Sequence, residues 1–248
     1  MIFKSYSDVF NLLGVKERDE LKTNIDFILK NAWGEFPNDF IENHILRSSQ
    51  IILAVEDDKS VGFCCLSDKK ILGKNIIYIE FLVVKKEFQN KNIGSKLVYH
   101  LLKKYILKNI LSMVFHGPLE IMFITPNIRI LTWMARLADF IYPNPYFSDE
   151  SGSIPIADKN TWEMASELVK MSDNPTRKLN REGLVLENSY ASAPWLIYKD
   201  KEIPWHHLER FNKFSVKYLG YGNEEDKEFV VRAQIGFLSI LKYFLTKV

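Results

Sequence analysis

The first apolar pattern along the chain is helical. Within residues 17–47, apolar side chains recur at three- and four-residue spacing, first at Leu21, Ile25, Ile28 and Leu29. Pro37 then begins a second helix, since proline is favoured in a first helical turn. The apolar positions of this helix are Phe40, Ile41 and Ile45. We therefore expect two helices before any strand.

Three strand patterns follow the predicted helices. The apolar runs are Ile51–Val55, Val61–Leu66 and Ile76–Val84, with polar turns at 56–60 and 69–75 between them. The third run is apolar on both faces except at Glu80. A strand of that kind is buried on both sides and lies in the middle of a sheet.

A helix, a strand and another helix come next. Ile93–Leu107 has one apolar stripe, and Leu119–Ile124 is a strand that Pro126 stops. Asn127 precedes a helix that we expect to run to about Phe140. The order of helices, strands and crossover predicts an α/β fold with a mixed central sheet flanked by helices.

Residues 146–248 are less regular, and we assign them to a C-terminal extension that packs on a core formed by residues 1–145. The expected elements are a helix at Asn160–Met171, strands near Phe214–Tyr218 and Glu228–Ala233 with a turn at Gly220–Asp226, and a closing apolar helix at Ile235–Leu245. Burial against the sheet is the main interpretation of the closing helix. A homodimer contact and attachment to a membrane surface are the alternatives.

Composition narrows the class of protein. Of the 248 residues, 47% are hydrophobic and 26% charged, which is typical of a globular chain with a real core. The 33 basic and 31 acidic residues give a net charge of +2, which argues against a dedicated nucleic-acid binder.

The same sequence predicts a location. Cys64 and Cys65 are adjacent and lack metal-site spacing, so we interpret them as core residues in a reducing compartment. Residues 1–13 lack the apolar core of a signal peptide, and no apolar run approaches the roughly 20 residues of a membrane span. We expect a cytoplasmic protein with no membrane association and no metal.

The turn between the third strand and its helix carries the candidate chemistry. It joins Val84 to Ile93 through Asn90 and Asn92, residues that tolerate left-handed backbone geometry, and Gly94 follows. Backbone N–H groups of such a turn and of a helix N-terminus together bind an anion such as a pyrophosphate. Lys91 and Lys96 add charge at the rim, and Ser95 adds a hydroxyl donor. Neither the Gly-x4-Gly-Lys pattern nor Gly-x-Gly-x-x-Gly is present.

This segment resembles the acetyl-CoA signature of the GNAT superfamily of N-acetyltransferases, Gln/Arg-x-x-Gly-x-Gly/Ala. The pattern falls on Gln89, Asn92 and Gly94, with asparagine where the family usually has glycine, and the resemblance covers roughly residues 20–142. It implies acetyl-CoA or a related acyl-CoA as co-substrate. The cofactor-binding residues it implies are Leu82, Val83, Val84, Gln89, Asn90, Lys91, Asn92, Ile93, Gly94, Ser95 and Asn127.

The resemblance also implies a geometry for the thioester. The strand ending at Val84 should splay from a parallel neighbour, Leu119–Ile124, and the pantetheine arm should pair with backbone groups of Leu82–Val84. A backbone N–H there would stabilise the oxyanion. Asn127 matches a family position that contacts the cofactor arm.

Acyl transfer to an amine requires a base, because a free amine is protonated near neutrality. Glu80 is the candidate, as the only charged residue in Ile76–Val84, and burial would favour its accepting a proton. A structural ion pair is the alternative. Many relatives have a tyrosine that acts as the acid at the position of Met134, and methionine cannot donate a proton. Tyr142, at the end of the same helix, is therefore the candidate acid. Packing beside Pro143 is its alternative role.

Two further groups of residues stand out in the extension. The aromatic residues Tyr190, Trp195, Tyr198 and Trp205 either wall an acceptor pocket or join the extension to the core, and we prefer the second interpretation. The pair His206 and His207 has no third metal ligand by spacing, so surface or packing roles are favoured.

The expected function is an N-acyltransferase that moves an acyl group directly from acyl-CoA to a primary amine in a ternary complex. A catalytically silent acyl-CoA-binding or protein-interaction module on the same fold is the alternative. An unrelated α/β protein that binds a phosphorylated ligand is a third possibility. The sequence does not specify the acceptor amine.

Overall fold

In the computed structural model, which describes residues 1–37, 39–172, 176–189, 205–220 and 226–240, the chain divides into two units. The first comprises Met1–Asp68 and Ile77–Leu111, and the second comprises Lys69–Ile76 and Ser112–Val248. The turn between two long strands therefore belongs to the second unit. The domain boundary at residue 145 stays a prediction.

The first unit contains three helices, short turns and four strands, and two of these strands and one helix continue into the second unit. In chain order they are β1 Ile2–Ser7, α1 Val9–Leu12, α2 Val15–Trp33, a π-helical turn Ile41–Ile45, β2 Gln50–Glu56, β3 Lys59–Ile71, β4 Lys74–Val84, a 3-10 turn Lys86–Phe88 and α3 Ile93–His116. The strand order is β1-β2-β3-β4.

The predicted apolar stripe packs the first unit. Leu21, Ile25, Ile28 and Leu29 of α2 are all buried, and they share one core cluster with Phe63 of β3 and Val83 of β4. The segment after Pro37 forms only a short π-helical turn, whose Ile41 and Ile45 enter the same cluster. The predicted helix α2 and the strands β2, β3 and β4 are thus confirmed.

Strand β1 was not predicted. It pairs antiparallel with β2, from Ile2 opposite Val55 to Ser7 opposite Gln50. The side chains of β1 are mostly exposed, because it lies at the end of the strand order in its unit. The Lys104 ammonium of α3 donates to Ser5 Oγ at 2.8 Å and Ser7 Oγ at 3.1 Å. Strand β1 is therefore stabilised by polar contacts. Its sequence has no alternation of apolar and polar residues from which a strand could be predicted.

The second unit is built around one long strand, Lys227–Ile235, which pairs antiparallel with three other strands. Its elements are β5 Leu119–Thr125, α4 Ile128–Leu137, β6 Phe140–Tyr142, a 3-10 turn Pro145–Phe147, α5 Lys159–Lys170, β7 Lys178–Asn180, β8 Val185–Glu187, α6 Glu209–Leu219 and β9 Lys227–Ile235. The strand order is β5-β9-β8-β7, and β6 also pairs with β9. The expected mixture of helices with a sheet is confirmed.

Three predicted boundaries in this unit were wrong. The stretch Phe214–Tyr218 lies in helix α6, where Phe211, Phe214, Ser215 and Tyr218 are buried at helical spacing. Helix α4 ends at Leu137, and Phe140 starts a strand. Ile235 is the last residue of β9, residues 237–240 are helical, and the remainder of the predicted closing helix lies outside the described residues.

A buried ionic cluster joins distant parts of the second unit. The Arg232 guanidinium, 3% exposed, donates from Nη2 and Nε to the Glu120 carboxylate at 2.8 Å and 3.1 Å. Its Nη1 donates to Thr161 Oγ1 at 2.8 Å, and Lys74 Nζ lies 3.2 Å from Glu120 Oε1. One strand pair, one helix and the first residue of β4 therefore share a single charge network.

Within the described ranges, no helix combines the length and the apolar character needed to cross a bilayer.

Candidate functional site

The turn from β4 into α3 contains two left-handed residues. Asn90 has φ 62° and Asn92 has φ 59°. Glycine occupies that region most readily, and asparagine is among the few other residues that tolerate it. The left-handed geometry that the sequence analysis expected of these asparagines is present at both positions.

Local hydrogen bonds hold this turn in place. Phe88 N–H donates to the Lys85 carbonyl at 2.9 Å, and Gln89 N–H donates to the Lys86 carbonyl at 3.2 Å. The Gln89 side chain then donates from Nε2 to the Val84 carbonyl at 3.0 Å. Gln89 thus ties the turn back to the end of β4 through its side chain.

Helix α3 begins with N–H groups that lack intrahelical acceptors. Its first backbone bond runs from Lys96 N–H to the Asn92 carbonyl at 3.1 Å, so the N–H groups of Ile93, Gly94 and Ser95 precede it. A Cβ added at Gly94 would meet only the Leu82 side chain, at 3.6 Å. The unpaired N–H groups and the positive end of the helix dipole favour a bound anion here.

The side chains around this helix start divide into two roles. Lys91 and Lys96 are exposed, as a rim position requires, and Lys91 Nζ lies 4.8 Å from the centre of the Phe88 ring. Ser95 Oγ donates to the Asn92 carbonyl at 3.0 Å, so its proton closes the first helical turn. A ligand would be bound mainly by backbone N–H groups, with lysine charge at the periphery.

Gly62 of β3 is a site residue that the sequence did not reveal. A Cβ at this position would lie 2.9 Å from the Val83 carbonyl oxygen and 3.3 Å from Leu97 Cδ1. Glycine therefore permits β3 to approach the end of β4 beneath α3. The signal in the sequence was a lone glycine inside a strand pattern, which often marks a close backbone approach.

Glu80 is half-buried in the middle of β4. Strand alternation places it on the same face as Leu82, whose side chain lies against Gly94. Burial, and to a lesser degree the charge of Glu80, raises the pKa of the Cys65 thiol to about 12. Both cysteines are fully buried, and burial also raises the pKa of Cys64, so both thiols are protonated core groups.

Tyr142 does not lie at the end of a helix, contrary to the prediction. It is the last residue of β6, is 9% exposed, and donates from its hydroxyl to the Pro155 carbonyl at 2.9 Å. Burial raises the pKa of Tyr142 to about 12. The group is thus protonated, but its proton is engaged by a backbone acceptor. Its role as an acid stays a prediction.

Asn127 begins helix α4. Its side-chain oxygen accepts from Arg129 N–H at 2.9 Å, and its own N–H donates to Thr125 Oγ1 at 3.0 Å. The residue therefore has a capping role that explains its position without a ligand.

Of the predicted aromatic group, only Trp205 lies in the described part of the chain, and it is 39% exposed. Tyr190, Trp195 and Tyr198 lie outside the described residues.

Strand β4 leads through two left-handed residues into helix α3, whose first N–H groups precede its first intrahelical hydrogen bond. Residues 19–116 match the sequence model of the acetyltransferase (GNAT) family. The matched residues contain the whole turn from β4 to α3.

Similar solved structures include GNAT proteins from bacteria and a plant. A GNAT-family acetyltransferase from Streptococcus pneumoniae is 20% identical, with a TM-score of 0.28, over 41% of this chain and 65% of that one. Arabidopsis thaliana Naa50, bound to a bisubstrate analogue containing CoA, is 18% identical, with a TM-score of 0.39, over 60% and 93%. Escherichia coli YhbS, bound to CoA, is 13% identical, with a TM-score of 0.33, over 49% and 61%.

These similarities are too distant to indicate a substrate. The chain spans about two thirds of the length of the pneumococcal protein. The comparison with curated proteins found no match.

Proposed function

We propose that this protein transfers an acyl group from acetyl-CoA, or a related acyl-CoA, to a primary amine. The observation that carries the proposal is the turn at Gln89–Ser95, where Asn90 and Asn92 are left-handed and an added Cβ at Gly94 would make only an ordinary contact with the Leu82 side chain. The family match of residues 19–116 covers this turn. Backbone N–H groups there would bind the pyrophosphate of CoA.

The proposed reaction is a direct attack of the amine on the thioester in a ternary complex. The nitrogen forms an amide bond to the acyl carbon, the carbon–sulfur bond breaks, and CoA leaves as a thiolate. Cys64 and Cys65 are buried and protonated, so neither offers the accessible thiolate that a cysteine acyl-enzyme needs, which supports a direct attack. Glu80 is the proposed base and would accept the proton of the amine.

Gly94→Glu tests the phosphate site. The carboxylate would enter the space beside Leu82 and repel the pyrophosphate, so we expect acetyl-CoA binding to disappear in isothermal titration. Gly14→Glu is the matched control, because Gly14 precedes helix α2 and its added Cβ would meet nothing within 4 Å. Equal affinity in both variants would remove the site assignment.

Glu80→Gln tests the base. We expect kcat to fall by roughly 10²–10⁴-fold, the usual contribution of general-base catalysis, while the Kd for acetyl-CoA stays within about twofold. The measurement is release of free thiol against a panel of primary amines between pH 6 and 9. Glu87→Gln, an exposed carboxylate in the 3-10 turn, is the control. Unchanged turnover in Glu80→Gln would exclude the base role.

The same two assays separate the proposal from its alternative. Binding of acetyl-CoA without thiol release from any amine would indicate a catalytically silent module. The engaged hydroxyl of Tyr142 is the observation that favours this alternative, because its proton is already donated to the Pro155 carbonyl. Thiol release in Tyr142→Phe at the wild-type rate would show that the thiolate leaves without this acid.

A further inference from the structure

Three side chains of helix α2 contact residues at the start of β3 and just beyond the end of β4. They are Asn24, Phe27 and Asn31, which follow one another at spacings of three and four positions and so share one face of the helix. Asn24 bonds to β3, whereas Phe27 and Asn31 contact the two residues that follow β4. Helix α2 therefore reaches the segment that leads into the turn at Gln89–Ser95.

The Asn31 side chain holds the backbone where this segment begins. Its Oδ1 accepts from the Lys86 N–H at 2.8 Å. Lys86 is the first residue of the 3-10 turn Lys86–Phe88, and the first N–H groups of a helical turn have no acceptor within it. The bond joins residues 55 positions apart, so it fixes the segment relative to α2 and not merely within itself.

The Phe27 ring contacts the residue before Lys86. The Lys85 Nζ lies 3.7 Å from the centre of this ring, a distance at which an ammonium is attracted to an aromatic face. Lys85 is 2% exposed, and its N–H donates to the Val61 carbonyl of β3 at 3.0 Å. Helix α2 thus contacts two successive residues, one through its backbone and the other through its side chain.

The two residues held by α2 are bonded directly to the start of the proposed phosphate site. The Lys85 carbonyl accepts from the Phe88 N–H at 2.9 Å, and the Lys86 carbonyl accepts from the Gln89 N–H at 3.2 Å. A displacement of Lys85 and Lys86 would move both acceptors and, with them, the backbone that enters the left-handed turn. The position of α2 therefore determines where the turn begins.

We propose that Asn31 and Phe27 are positioning residues for acyl-CoA, which fix the start of the turn at Gln89–Ser95 so that its N–H groups are arranged before the pyrophosphate binds. The inference rests on the proposed function, since it takes acyl-CoA as the ligand of the turn. Neither residue contacts the ligand in this proposal. Donors that folding has already ordered bind more tightly, because binding does not have to order them. Loss of the two contacts therefore weakens affinity and leaves the chemical step unchanged.

Asn31→Leu is the first test, because leucine has a similar size and no acceptor. We expect the Kd for acetyl-CoA in isothermal titration to rise about tenfold, the upper effect of one lost hydrogen bond. Turnover at saturating acetyl-CoA should stay within about twofold. Hydrogen exchange of the Lys86 N–H, followed by NMR, should become about tenfold faster. Asn31→Asp should restore native affinity to within about threefold, since a carboxylate oxygen accepts from the same N–H.

Asn24→Leu is the matched control. Asn24 lies on the same face of α2, is also half-buried, and its Oδ1 accepts from Ser60 Oγ at 2.7 Å, so the variant removes a similar bond away from the turn. We expect a comparable change in thermal melting, a Kd for acetyl-CoA within about twofold of native, and unchanged exchange at Lys86. Native affinity in Asn31→Leu, or equal weakening by the two leucine variants, would overturn the proposal.

Phe27→Leu tests the second contact. It keeps an apolar side chain against Lys85 and removes the aromatic face, so we expect the Kd for acetyl-CoA to rise about threefold. Native affinity in this variant would overturn the role of Phe27. A native chain that binds no acetyl-CoA would count against the proposed function itself. Faster exchange at Lys86 in Asn31→Leu, together with unchanged binding of acetyl-CoA, would overturn the positioning role alone.

Discussion

Asn90 and Asn92 show how the turn from β4 to α3 retains its shape without glycine. Both residues are left-handed, a conformation that costs most non-glycine residues roughly 1–2 kcal/mol. Asparagine reduces this cost because its short polar side chain bonds locally. The conformation of the turn was therefore predictable from residue type. The partners of Gln89 and Ser95 were not, because local acceptors compete with any ligand for a polar side chain.

Asn92→Ala is the residue-scale prediction. Alanine keeps the Cβ but lacks the short polar side chain that makes asparagine tolerant of left-handed geometry, so we expect a loss of about 1 kcal/mol in unfolding free energy, measured by urea denaturation. Asn92→Gly should lose nothing and should bind acetyl-CoA at least as tightly.

The control for Asn92→Ala is Asn75→Ala, an exposed position outside the set of left-handed residues. It should change stability by less than about 0.5 kcal/mol. A loss in Asn92→Gly as large as in Asn92→Ala would show that the side chain, not the backbone, stabilises the turn.

At the scale of elements, the spacing of apolar residues correctly predicted the helices and strands that pack into the buried core. Helix α2 and strand β5 appear where apolar spacing placed them, and β9 covers the predicted strand at Glu228–Ala233. Strand β1 was missed because its stability comes from pairing with β2 and from Lys104. Helix α6 was mistaken for a strand because Phe214, Val216 and Tyr218 alternate, while its buried contacts follow the helical spacing of Phe211, Phe214 and Tyr218.

The candidate site likewise has features that the sequence predicts and features that it does not. The turn follows from residue types that tolerate one backbone conformation, and the sequence therefore located it. Gly62 and the acceptor of the Tyr142 hydroxyl depend on residues 21 and 13 positions away, Val83 and Pro155. Such pairings arise from the fold: a lone glycine inside a strand pattern can mark a close approach, but no local pattern identifies the residue that approaches.

At the scale of the molecule, the Glu120–Arg232 pair connects residues separated by more than a hundred positions in the chain. Burial alone would raise the pKa of Glu120, but hydrogen bonds from Arg232, Gln234 and Lys74 outweigh it, and the pKa lies below its ordinary value. A depressed carboxyl pKa contributes stability above the unfolded value near 4.3. That stability is lost as the pH falls toward the folded value.

Glu120→Gln should therefore destabilise the protein and make its unfolding free energy depend less on pH in the acid range. Removing one partner of a buried pair leaves the Arg232 charge uncompensated, so we expect a loss of about 3 kcal/mol at pH 7 in urea unfolding. Between pH 5 and pH 3 the variant should lose less unfolding free energy than the native chain. Glu209→Gln, whose side chain is 84% exposed and lies 3.7 Å from Lys213, is the matched control and should change stability by less than 1 kcal/mol. If both variants lose the same free energy at pH 7, the buried pair makes no special contribution and the second unit is stabilised by its apolar core.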